Sequence, residues 1–213
     1  MWARQEQQDM VETMRAAGPD APTLCDGWRT RHLAAHLYLR GHRPWELIRG
    51  AERAIANLGD RCADLLAYDR LLTDFAAPAR GLSGVSGLRR ISARVDDATN
   101  LLEYVVHHED VRRAAENAAP RELEPTLVEA VWQRARVMAR LTYRSAPVGV
   151  ILVVPGGPRV RVRRDSDSVA VVGDPIEQAL YAFGRRTQAE VTLLGAPDAV
   201  ARLRDWAGTS AGE

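Results

Sequence analysis

Asn100-Leu-Leu-Glu-Tyr-Val-Val-His-His-Glu-Asp-Val-Arg-Arg113 decides how the first half of the chain is read. Glu103 and His107 are four residues apart, so on a helix they stand one above the other on a single face. At 3.6 residues per turn, Asn100, Asp110 and Ala114 join the same stripe. Leu101, Leu102, Tyr104, Val105, Val106 and Val111 make the rest of the segment apolar, which packs it inside a helical bundle. An unpaired carboxylate is costly in such an interior. Two readings stay open: the Glu–His pair holds a metal ion, or it closes on itself as a buried hydrogen bond.

Working outward, 213 residues with 46% hydrophobic content suffice for one large or two small domains. Basic and acidic residues nearly cancel, 29 against 28, so no net field favours nucleic acid or an anionic membrane. All the basic residues are Arg, a mark of a GC-rich genome rather than of function. Cys25 and Cys62 lack CxxC spacing and suggest no disulfide framework; Cys62 reads as a small core hydrophobe. No apolar run reaches membrane-spanning length and the N-terminus lacks a signal-peptide core, so the expected location is the cytoplasm.

Upstream of the opening stretch, residues 3–17 have helical spacing around Met10, Val11 and Met14, and Gly18-Pro19-Asp20 ends that helix. Thr30 is the expected N-cap of a helix running to about Arg40, on which His36 lies among Leu33, Ala35, Leu37 and Leu39. A lone His on an apolar face is commonly a satisfied core residue; it gains significance only through a partner stripe. Pro44 and Trp45 open a third helix, expected to break near Gly59-Asp60, before helical spacing resumes with Cys62, Leu65, Leu66, Leu72 and Phe75. Residues 77–90, rich in Gly, Ser and Ala, read as a loop. The helix bearing Glu103 is expected from about Asp96 to Glu116.

Past Pro120 the pattern changes. A helix over about 125–143 precedes a β-branched run at 148–154, an alternating Arg/Val strand at 159–163 and a third strand at 168–172. Asp174-Pro175 starts a helix, with Asp as N-cap and Pro at its first position, that ends near Gly184-Arg185. A strand at 190–194 and a helix at 197–206 finish the chain. The class is α+β, a four-helix bundle over 1–118 followed by a smaller α/β domain over 119–213.

A catalytic zinc site takes three protein ligands and leaves a fourth position open. Glu103 and His107 supply two, and His36 on a neighbouring helix can supply the third. Asp110 is placed to orient an imidazole from behind, and His32, one turn before His36, is the runner-up ligand. His108 is about 100 degrees round the helix from His107 and cannot share its face; it reads as structural or exposed.

Thr23-Leu-Cys-Asp-Gly-Trp-Arg-Thr-Arg-His-Leu-Ala-Ala-His-Leu37, together with Asn100…Glu103…His107-His-Glu-Asp-Val-Arg-Arg113, resembles the two N-terminal motifs of the mycothiol-dependent maleylpyruvate isomerase family, within the DinB-like metal-binding superfamily. Gly173-Asp-Pro-Ile-Glu-Gln-Ala-Leu-Tyr-Ala-Phe-Gly-Arg185 resembles that family's second, α/β domain. The likeness covers almost the whole chain and is strongest to an actinobacterial metal-binding subgroup. It implies that His36, Glu103 and His107 ligate the metal, usually zinc, and that Arg185 belongs to the isomerase active site. His32 stands where relatives more often have Asp, which implies altered surroundings of the metal. The resemblance further implies mycothiol as thiol cosubstrate, a small electrophilic substrate, and an isomerase or S-transferase reaction in a monomer or homodimer. The competing expectations are a non-catalytic metal- or thiol-binding protein and a metal-assisted hydrolase using water. For Arg185 the plainer reading is a residue interacting favourably with a helix C-terminus.

Overall fold

A computed structural model describes residues 2–77, 100–115 and 118–206. They group into two compact units, Met1–Pro120 and Arg121–Glu213. The first is helical: α1 (Trp2–Ala17), α2 (Thr30–His42), α3 (Pro44–Arg61), α4 (Leu65–Ala76) and α5, helical over residues 100–112. The second begins with α6 (Pro125–Thr142), continues through β1 (Gly149–Val153), β2 (Arg159–Arg163), β3 (Ser168–Val172), α7 (Pro175–Ala182) and β4 (Thr192–Leu194), and ends with α8 (Pro197–Asp205). The class is therefore α+β.

In the first unit the core is built from Met10, Val11 and Met14 of α1, Leu33, Leu37 and Leu39 of α2, Tyr68, Leu72 and Phe75 of α4, and Val111 of α5. Leu101, Leu102, Val105 and Val106 bury the rest of α5. Polar bonds fix how these helices meet: Tyr68 Oη donates to Met14 O at 3.1 Å, and Gln7 Nε2 to Phe75 O at 3.0 Å. By contrast α3 buries only Ile55 and Gly59. It presses on α2 at Gly59, where an added Cβ would lie 2.4 Å from His32 Cδ2 and 3.1 Å from His32 Cα.

Several local expectations shift. The break expected near Gly59-Asp60 falls later, between Arg61 and Leu65, because Gly59 serves helix contact rather than termination. The non-helical backbone inside α3 is at Gly50, φ 149° and ψ 79°. The N-cap of α2 is Arg29 rather than Thr30; His32 Nδ1 accepts the Arg29 N–H at 3.1 Å, and the buried Thr30 hydroxyl donates to Gly18 O. Most of the loop expected at 77–90, and both ends of the helix expected over 96–116, lie outside the described residues.

In the second unit the sheet order is β2-β1-β3-β4, with β1 parallel to β3 and the outer pairs antiparallel. Period-two alternation turns Val150, Leu152, Val169 and Val171 onto one face, where they pack with Trp132, Tyr143, Tyr181 and Leu203 of the helical segments. Asp174 is the N-cap residue of α7 and Pro175 its first residue, although the Asp174 side chain makes no capping bond. The last strand is shorter than expected. Glu190 N–H donates to the buried Glu177 carboxylate at 2.8 Å and Val191 N–H to Ala189 O, so neither is free for the ladder.

Candidate metal centre

The sequences of α2 and α5 place one candidate stripe on each helix, and the two run antiparallel. Arg40 Nη1 donates to Asn100 Oδ1 at 2.6 Å, and one turn along His36 Nε2 lies 3.0 Å from Glu103 Oε1. His107 Nε2 approaches the same carboxylate oxygen at 3.3 Å. One ligand atom each from His36, Glu103 and His107 fall within 4.8 Å of one another. The imidazole rings of His36 and His107 meet edge-on at 5.2 Å, and Trp28 lies tilted against His36 at 5.4 Å. These three side chains keep 20, 24 and 12% exposure, so the centre opens to solvent on one side.

Behind it lies Asp110, with no exposed side chain, whose Oδ2 meets His107 Nδ1 at 2.7 Å. Cys25, in the loop before α2, donates Sγ–H to the same oxygen at 3.2 Å, and the backbone Leu24 N–H donates to Asp110 O. Cys25, His107 and Asp110 thus form a second group whose donor atoms lie within 4.8 Å, sharing His107 with the first.

Electrostatics follow from this crowding. Burial acts to raise the Glu103 carboxyl, but hydrogen bonds from His107 and His36, with the charges of His107 and Arg40, hold it well below the usual carboxylate range. Burial acts to lower His107, yet hydrogen bonding to Asp110, Cys25 and Glu103 carries it well above the ordinary histidine value. His36 goes the other way: burial dominates and lowers it, which favours the neutral imidazole a metal requires.

The donor set fits a divalent ion. Bonds of about 2.0–2.1 Å at tetrahedral angles place donors about 3.3–3.4 Å apart. The observed 3.0 and 3.3 Å separations from Glu103 Oε1 are close to that spacing. Two imidazole nitrogens and one carboxylate oxygen are ligands that zinc accepts, and a carboxylate on the far nitrogen of a ligating His fixes its tautomer.

The remaining named residues separate. His32 turns to α3, its Nε2 donating to Asp60 Oδ1 at 3.2 Å, and is not brought into the group of His36, Glu103 and His107. His108 is buried: Nδ1 meets Glu6 Oε1 and Nε2 meets Thr13 Oγ1, both at 2.8 Å, which ties α5 to α1. Arg185 follows α7 in the second unit, where its Nη1 donates to Phe183 O at 2.6 Å. Arg40 and Cys25 are the contributors that sequence reasoning missed. Arg40 was findable, one turn beyond His36 on the same stripe; Cys25 sits in a loop whose path no spacing rule predicts.

Neither a family model nor a curated protein matches the chain. Among solved structures, the crystal structure of the mycothiol-dependent maleylpyruvate isomerase is similar over 90% of this chain and 90% of that one, at 18% sequence identity and a TM-score of 0.53. At that identity the likeness is one of architecture: this chain shares the fold of the mycothiol-dependent maleylpyruvate isomerase along nearly its whole length.

Proposed function

We propose that this protein is a metal-dependent, thiol-using enzyme, with His36, Glu103 and His107 holding a divalent ion, zinc by the donor set. In this reading mycothiol is the thiol cosubstrate and the reaction is isomerisation of, or S-transfer to, a small electrophile. The observation that carries the reading is the convergence of three metal-type donors within 4.8 Å of one another on a fold shared with an isomerase of that kind. A divalent ion with an open position supplies Lewis acidity that ionises a bound thiol at neutral pH.

The chain's own residues do the rest. Asp110 accepts the proton-bearing Nδ1 of His107, which aims Nε2 at the centre. Arg40, 3.4 Å from Glu103, neutralises part of the carboxylate charge and holds Glu103 in place. Arg185 is the proposed partner for a substrate carboxylate or developing negative charge, through its planar fork. A thiolate adding to an activated double bond leaves a single bond free to rotate; expelling the same thiolate then restores the double bond in the other geometry.

Zinc-loaded protein, mycothiol and maleylpyruvate, followed for cis–trans conversion, test the proposal. Turnover that needs both metal and thiol is the expected result. Bound metal without turnover of this or a generic electrophile leaves a metal-binding protein, and substrate cleavage without thiol points to a hydrolase using water.

A further inference from the structure

A second cluster, unrelated to the stripe on α5, sits at the ends of the helices in the second unit. Tyr143 is the C-cap residue of α6, Tyr181 lies in the last turn of α7, Arg186 follows α7, and Trp206 is the C-cap residue of α8. The Arg186 guanidinium carbon lies 5.0 Å from the centre of the Trp206 ring and 5.5 Å from that of Tyr181. Trp206 in turn meets the Tyr143 ring at 5.8 Å. The two tyrosines are 0 and 4% exposed, while Arg186 and Trp206 are half-buried, so the phenols form a floor beneath an accessible rim.

The floor is polar but unsatisfied. Tyr143 Oη, Tyr181 Oη and Arg186 Nε are all buried and have no hydrogen-bond partner among the described residues. A buried polar atom without a partner is unfavourable, and native proteins rarely leave several together. All three can donate, and burial pushes both phenols upward, so both keep their protons. Arg186 Nη1 donates to Trp206 O, the carbonyl at the end of α8. The half-charge of a helix C-terminus opposes an anion, but the full charge of Arg186 outweighs it.

We propose that Tyr143, Tyr181 and Arg186 form a binding site for a small carboxylate, carried wholly by the second unit. A carboxylate supplies acceptor lone pairs to three donors and a counter-charge to the guanidinium, while Trp206 and the tyrosine rings wall its apolar body.

The test uses the full chain with its tryptophan indoles labelled with nitrogen-15, the Trp206 resonance being assigned through Trp206→Phe. Sodium acetate is titrated at constant ionic strength, with neutral acetamide as the shape-matched control. The Trp206 signal should shift saturably with acetate and stay still with acetamide. Arg186→Gln should weaken acetate binding about tenfold or more, and so should the double variant Tyr143→Phe/Tyr181→Phe. The double variant retains both rings, so it keeps the test open if Arg186→Gln loosens the end of α8. The absence of a saturable shift, an equal response to acetamide, or unchanged binding in the double variant would each overturn the proposal.

Discussion

At the scale of single residues, neighbouring side chains on α5 have opposite fates. His107 and His108 are adjacent in sequence, yet one faces Glu103 and Asp110 while the other crosses to Glu6 and Thr13 of α1. Substitution should therefore separate metal affinity from stability. His36→Ala and His107→Ala should each abolish binding of a divalent ion, measured by metal analysis after dialysis; full occupancy in both would remove the triad. Asp110→Asn, which keeps the shape but not the charge behind His107, should weaken metal binding about 10–100-fold. His108→Ala should bind metal like the wild type. It leaves Glu6, 1% exposed, without the imidazole, so denaturant unfolding should show a loss of about 1–3 kcal/mol. A variant with unchanged stability and lost metal would invert these assignments.

At the scale of elements, what the sequence made legible was periodicity. The α5 stripe and its apolar surroundings follow from counting residues per turn, and the buried run Leu101, Leu102, Val105, Val106 bears out that pattern. The strands of the second unit were also readable, β1 from its β-branched run and β2 from its Arg/Val alternation, while the packing of every second residue of β1 and β3 on the helices emerged only in the structure. Less legible was anything set by contact between elements. Gly59 looks like a helix breaker in sequence, yet it stays helical where α3 presses on His32. Asp110 and Cys25 come together only because the loop before α2 folds over α5. The Gly59 contact carries its own prediction. In an exposed helix Gly→Ala gains up to about 1 kcal/mol, but here the added carbon meets His32, including its backbone. Gly59→Ala should instead cost about 1–3 kcal/mol in denaturant unfolding, as overpacking does. A stabilised variant would mean that α3 is free to move away from α2.

At the scale of the whole molecule, the proposed reading has metal and proton competing for the same nitrogens. Hydrogen bonding to Asp110, Cys25 and Glu103 favours protonated His107, so loading must expel its Nε2 proton. Apparent metal affinity should fall as pH is lowered, and a pH-independent titration would contradict this. Metal at about 100 times its dissociation constant should add about 2.7 kcal/mol to stability. Arg185→Lys should leave the fold intact while reducing turnover, because Lys lacks the bidentate fork; wild-type turnover would leave Arg185 a structural role, such as its bond to Phe183 O. Among the described residues no helix is long and apolar enough to cross a membrane. The central claim is that the centre takes a metal and presents it to a thiol. Its most direct test is cobalt-substituted protein titrated with mycothiol in a Cys25→Ser background, which removes the cysteine thiol nearest the centre. The account predicts a near-ultraviolet sulfur-to-cobalt charge-transfer band that saturates with mycothiol, is absent with a sulfur-free analogue, and disappears in His107→Ala. A cobalt spectrum unchanged at saturating mycothiol would contradict it.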